Sequence, residues 1–176
     1  MPNRRSRDVI DSFLLRHIRP GSRLLDVGCG YGESALLIVR RVPGVSVEAV
    51  DIDAASVHRA NRRFRRAPAN AALRCHEADV REIVQLFGLK RFDYAICNNS
   101  FHEFPRPVAA LRAIRAVLKP SGVLLIAELT SRAGESIDDC PRYSRAKIAE
   151  MLRRAGFRHV AAATRSSTIL IRTKKP

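Results

Sequence analysis

The sequence predicts an α/β fold, an open parallel sheet with helices packed on it, and two observations carry that reading. Short apolar runs, several of them ending at an acid, alternate with longer stretches whose apolar residues recur every three or four positions, the pattern of strands interleaved with amphipathic helices. The first run, Leu24-Leu25-Asp26-Val27, breaks into glycines at alternate positions, Gly28, Gly30 and Gly32, and helical periodicity starts directly afterwards at Glu33. Such a strand-to-helix turn suits ligand binding. Glycine admits positive φ and lacks the Cβ that would hold a ligand off the main chain, and the new helix presents unpaired N–H groups. The dinucleotide fingerprint G-x-G-x-x-G needs its third glycine where Glu33 stands, so this turn is a sibling of that motif.

Length and composition fit one domain spanning residues 1–176: an N-terminal helical part (1–20), a cofactor-binding core (21–129) and a substrate-side loop, helix and terminal hairpin (130–176). Hydrophobic residues make up 46% of the chain, enough for a full core. No apolar run reaches the ~18 residues of a membrane span, and the basic start, Arg4-Arg5-Ser6-Arg7, leads to Asp8 without a signal-peptide core. The expected location is cytoplasmic. Cys29, Cys75, Cys97 and Cys140 are scattered and form no C-x-x-C pair, so neither a zinc site nor a disulfide framework is expected. The net charge of +15 points either to a polyanionic partner or to an arginine-rich, alanine-rich coding bias.

The elements follow in order. Val9, Ile10, Phe13, Leu14 and Ile18 give a helix over Arg7–Ile18, stopped by Pro20-Gly21. Arg23–Val27 is the first strand, and Glu33–Arg41 a helix ended by Pro43-Gly44. The second strand, Val45–Val50, meets Asp51 about 20 residues past the glycines, where a nucleotide site of this architecture places a carboxylate for ribose hydroxyls. Asp53 suits the N-cap of the next helix. On that helix Arg59, Arg62, Arg63 and Arg66 fall on one face, which is either a solvated surface or a contact for RNA phosphates.

The third strand, Ala72–His76, leads to Asp79 and Val80, and a helix follows over Arg81–Phe87. The fourth, Phe92–Cys97, opens onto Asn98-Asn99-Ser100-Phe101-His102-Glu103-Phe104, a loop expected to face the glycine turn. A helix over Arg106–Leu118, the turn Lys119-Pro120-Ser121-Gly122 and a fifth strand, Val123–Leu129, come next. Thr130–Cys140 is polar and reads as a loop, and a metal role for Asp138 and Asp139 lacks a third ligand, so no metal is expected. Ser144–Ala155 is a helix capped by Ser144 and stopped by Gly156, and Phe157–Ala163 and Thr168–Thr173 read as two last strands.

The run Asp26-Val27-Gly28-Cys29-Gly30-Tyr31-Gly32 resembles motif I of the class I S-adenosylmethionine-dependent methyltransferases. Asp51 and Asp79 at the next strand ends, and Leu118-Lys119-Pro120-Ser121-Gly122, which is similar to that family's L-K-P-G-G turn, keep its order and spacing. The resemblance implies a Rossmann-like, doubly wound sheet of seven strands, mostly parallel, with a C-terminal antiparallel hairpin. It implies S-adenosylmethionine as cofactor, held by Asp26, Gly28, Cys29, Gly30, Gly32, Asp51, Ile52, Asp79, Val80 and Asn98. Within that set, Asp51 would hold the ribose, Ile52 and Val80 would line the adenine, and Asp79 would accept from its amine.

The segment after Asn98 lacks the proline pair of the N-P-P-Y type signature and resembles the corresponding segment of small-molecule methyltransferases. The expected activity is methyl transfer to a small acceptor by in-line displacement, which chiefly demands alignment of the nucleophile. His102 is the candidate general base, and His102, Glu103 and Tyr143 are the candidate substrate contacts. The alternatives are an RNA methyltransferase using the basic surface and a non-catalytic binding module of the same fold.

Overall fold

The computed structural model describes residues 4–69, 71–130 and 142–176. The elements run α1 (Arg4–His17), β1 (Arg23–Val27), α2 (Glu33–Arg41), β2 (Ser46–Asp51), α3 (Ala54–Phe64), β3 (Leu73–Glu77), α4 (Ile83–Phe87), β4 (Phe92–Asn98), a 3₁₀ turn (Phe101–Glu103), α5 (Pro107–Val117), β5 (Leu118–Leu129), α6 (Arg145–Arg154), β6 (Arg158–Arg165) and β7 (Thr168–Lys174). The strands form one seven-stranded sheet in the order β3-β2-β1-β4-β5-β7-β6. Neighbours from β3 to β5 pair in parallel, whereas β7 runs antiparallel to both β5 and β6. From β1 the chain winds outward through β2 and β3, then returns to lay β4 and β5 on the other side. The reversal opens a crevice at the carboxyl ends of β1 and β4.

Strand periodicity divides the core into two layers. Leu24 of β1 joins Ile10, Leu14, Ile38 and Val47 under α1, α2 and α3, while its neighbours Leu25 and Val27 join Phe92, Leu111, Ile114 and Leu152 on the other face. These side chains are fully or almost fully buried, and each contributes roughly 1.5–3 kcal/mol by leaving water.

Several boundaries differ from the sequence expectation. The helix expected at Arg81 starts at Ile83, because Asp79 holds the preceding turn through hydrogen bonds to the Arg81 backbone and guanidinium. β5 begins at Leu118 rather than Val123: Phe92 already pairs with Leu118, and Lys119–Gly122 is an irregular start to the strand, with Ser121 at φ 60°. α3 ends at Phe64, which leaves Arg66 beyond the helix and off the expected arginine face. The Thr130–Cys140 loop with Asp138 and Asp139 falls, apart from Thr130, outside the described residues. Among the described residues no helix is long and apolar enough to cross a membrane.

Candidate functional site

At the crevice a cleft of about 860 Å³ is walled by the glycine turn, the end of β2, the loop after β4 and the facing sides of α1 and α2. The glycines divide the work. Gly28, at φ 68°, donates its N–H to the Val50 carbonyl at 2.9 Å, and a Cβ there would stand 2.5 Å from Ser100 Cβ. Its role is to let the β4 loop close on β1, a contact fastened by the Ser100 hydroxyl, which donates to the Val27 carbonyl at 2.7 Å. Gly30 has no atom within 4 Å of a Cβ position and faces the open cleft. Gly32, at φ 72°, packs instead against Phe64 of α3, 2.3 Å from a would-be Cβ, and does not line the cleft.

Asp51 fixes this turn from the end of β2. One carboxylate oxygen accepts from the Gly30 N–H at 2.7 Å and the other from the Asp53 N–H at 3.0 Å. Asp53 caps α3 through the Ser56 N–H and hydroxyl, and these bonds hold its pKa below the usual carboxylate value. Ile52 is 71% exposed and lies in the cleft wall beside the half-buried Cys29, whose Sγ is 3.2 Å from that of Cys75. That contact and burial push the Cys29 thiol pKa up.

Among the described residues, two buried polar atoms of the cleft lack hydrogen-bond partners. Asp26 is 1% exposed, its Oδ2 accepts no hydrogen bond, and burial with the nearby Asp51 charge pushes its pKa up to about 7. Asn98 donates to Ser34 Oγ at 2.7 Å, but its Oδ1 is buried and unpaired. Buried acceptors without donors are costly, so a cationic or N–H-bearing ligand that reaches them would lower the energy of the site.

The other expected residues divide between the cleft and its surroundings. Asp79 and Val80 do not line the cleft. The Asp79 carboxylate is gripped by Arg81 at 2.6 and 2.9 Å, which lowers its pKa, and Val80 packs against the core. His102 is 5% exposed: its Nδ1 meets Glu128 Oε2 at 2.8 Å, its Nε2 stands 3.7 Å from Glu103 Oε1, and Glu128 Oε1 accepts the Phe101 N–H at 2.7 Å. Glu103 is exposed and lines the cleft. Tyr143 packs on Phe101, with ring centroids 5.8 Å apart.

On α3, Arg59 sits over the Tyr31 ring at 5.1 Å and Arg63 pairs with Glu33 at 2.7 Å, so both serve the glycine turn; Arg62, and Arg66 beyond the helix, are exposed. Sequence reasoning passed over Ser34, Ser100, Glu128 and Arg142, whose guanidinium donates to Asn99 Oδ1 at 3.1 Å. Glu128 carried a signal, a lone acid in the apolar run Val123-Leu124-Leu125-Ile126-Ala127.

The methyltransferase domain family matches residues 3–162. An uncharacterised methyltransferase of Mycobacterium bovis is 36% identical over 103 residues, 58% of this chain and 48% of its own length. The 27-O-demethylrifamycin SV methyltransferase of Amycolatopsis mediterranei is 32% identical over 111 residues, 63% of this chain and 40% of its own. The tRNA1(Val) (adenine(37)-N6)-methyltransferase of Vibrio campbellii is 28% identical over 116 residues, 66% and 46%. The chain thus spans about half the length of the relatives it matches, or less. In fold it is similar to a SAM-dependent methyltransferase from Aquifex aeolicus, with a TM-score of 0.80 at 20% identity over 97% of this chain and 89% of that one. The chain belongs to the methyltransferase domain family and has the doubly wound, seven-stranded architecture of the class I S-adenosylmethionine-dependent methyltransferases.

Proposed function

We propose that the cleft binds S-adenosylmethionine and that the protein transfers its methyl group to a small-molecule acceptor by in-line displacement. The observation that carries this reading is the pair of orphaned buried oxygens, Asp26 Oδ2 and Asn98 Oδ1, in the wall of a cleft whose backbone is left bare at Gly30. The amino-acid end of the cofactor carries an ammonium group, so Asp26 and Asn98 hold that group. Asp51 takes the ribose hydroxyls on lone pairs left free by its two backbone bonds, and Ile52 covers the base. The bound cofactor supplies a methyl group already activated by its sulfonium.

The chain's own share is placement. The Ser100 bond to Val27 and the Glu128 bonds to His102 and Phe101 fix the loop after β4 beside the glycine turn, where an acceptor must lie for displacement. Asp79 and Val80 reach the base in this reading after Arg81 releases the Asp79 carboxylate. Glu103 is the carboxylate available on the acceptor side, and His102 acts by ordering its loop. A volume near the upper end of small-molecule pockets supports a cofactor with an acceptor beside it, and the likeness to the 27-O-demethylrifamycin SV methyltransferase supports a small molecule rather than a macromolecule as that acceptor. Net charge and the tRNA methyltransferase relative favour a second reading, RNA as acceptor.

Calorimetry with S-adenosylmethionine tests the first step. Binding should weaken at least tenfold in Asp51→Ala and Asp26→Asn, and a pure wild-type protein that binds no cofactor would overturn the proposal. Methyl-labelled cofactor, offered a metabolite panel and total RNA in parallel, decides the acceptor.

A further inference from the structure

Arg59 and Arg63 serve the glycine turn, but arginines elsewhere on the surface have no such partner among the described residues. On the other side of α1 from the cleft, a groove of about 510 Å³ runs between that helix and the β6–β7 hairpin. α1 divides the two: Ile10 and Asp11 line the cleft, Val9 and Phe13 the groove. The groove floor is apolar, made by Val9, Phe13, Ala161, Ala163 and Leu170. Arg5 and Arg16 of α1 rim one side, Arg165 and Arg172 of the hairpin the other. None of these four has a carboxylate partner among the described residues, and Asp8 is the one acid among the described lining residues.

We propose that this groove binds single-stranded RNA. Arg5 and Arg16 stand about 16 Å apart along the helix, a rail several phosphates long. The opposite pair gives a second rail, and Phe13 and His17, whose ring centroids are 4.8 Å apart, offer aromatic surface between them. Cationic rails over a floor with aromatic rings are what a single strand needs, since its phosphates meet arginine while its unpaired bases stack. A second copy of the chain is disfavoured as occupant, because it brings +15 of like charge to the same rim. The groove and the cleft share only α1, so RNA binding here stands whether or not RNA is the methyl acceptor.

Fluorescence anisotropy with a labelled oligouridylate of about 12 nucleotides tests the proposal. Four arginine–phosphate contacts predict a plot of log affinity against log salt with a slope of about −3. Arg16→Glu combined with Arg165→Glu should weaken binding roughly tenfold or more, whereas Arg62→Glu with Arg66→Glu on the α3 side should change it less than about twofold. Phe13→Leu should weaken binding severalfold and leave the salt slope unchanged. Circular dichroism and S-adenosylmethionine calorimetry on each variant separate loss of the groove from loss of the fold or of the cleft. No binding at low salt, or equal losses from the two charge-reversal pairs, would overturn the proposal. So would displacement of the RNA by polyglutamate at equal charge concentration, which would assign the groove to an acidic protein surface.

Discussion

Asp26 is held at a cost until a cation arrives, and this gives the site a pH signature. Its folded pKa of about 7 lies above the ordinary 3.8, so the folded state holds the proton more tightly than the unfolded chain does. The resulting stability is full below pH 4 and is lost as pH rises through 7. Asp26→Asn should therefore stabilise the ligand-free protein at pH 8 by up to roughly 4 kcal/mol and do little at pH 4; urea titrations at both pH values check this, and equal gains at both would contradict it. Cofactor affinity should run the other way, rising as pH passes 7 and the carboxylate ionises, with the dependence absent in Asp26→Asn. For His102 the expectation is positional: His102→Gln should lower turnover yet keep the shape of the pH–rate profile, and loss of one limb would return His102 to proton transfer. At this scale the sequence was legible in part: of the expected cofactor residues, Gly32, Asp79 and Val80 do not line the cleft. Asp26, Gly28, Gly30, Asp51, Ile52 and Asn98 all reach the cleft. It did not show which way His102 or Asp79 turns, because each direction is set by a partner, Glu128 or Arg81, and single-sequence pattern carries no pairing information.

Two turns carry strain that can be measured. Gly32 combines φ 72° with a Cβ position 2.3 Å from Phe64, so Gly32→Ala should destabilise the fold by about 2–4 kcal/mol, whereas Gly30→Ala should spare stability more and act mainly on cofactor binding. Chemical denaturation paired with calorimetry separates the two effects. The β6–β7 hairpin turns through Ser166 and Ser167, both at positive φ, 45° and 59°. Asn-Gly suits that turn better, and the double replacement should raise stability by roughly 1 kcal/mol without touching the cleft, read as a shift in thermal midpoint. Elements with clean periodicity, such as β1 and α2, were legible to the residue. The start of β5 was not, since Lys119-Pro120-Ser121-Gly122 has turn composition, and partners distant in sequence, β4 and Lys175, draw it into the sheet.

At the scale of the molecule, a ligand that binds the folded state alone adds stability by mass action. S-adenosylmethionine at about a hundredfold excess over its dissociation constant should add roughly 2.7 kcal/mol, visible as a thermal shift that disappears in Asp51→Ala. The sheet order also sets a sequence of events in time. β7 is made after β6 yet lies inside it, between β5 and β6. While a ribosome is still adding the residues after Arg165, β6 has no neighbour to pair with, and β5 keeps an open edge running through Leu124, Leu125, Ile126 and Ala127. The new protein therefore has the apolar edge of β5 uncovered until β7 has emerged and paired with it, which makes that interval its window for aggregation and for chaperone capture. A chain ending at Arg165 should be cleaved quickly by a pulse of protease under conditions in which the whole chain resists, and equal resistance would show that the parallel half of the sheet stands alone.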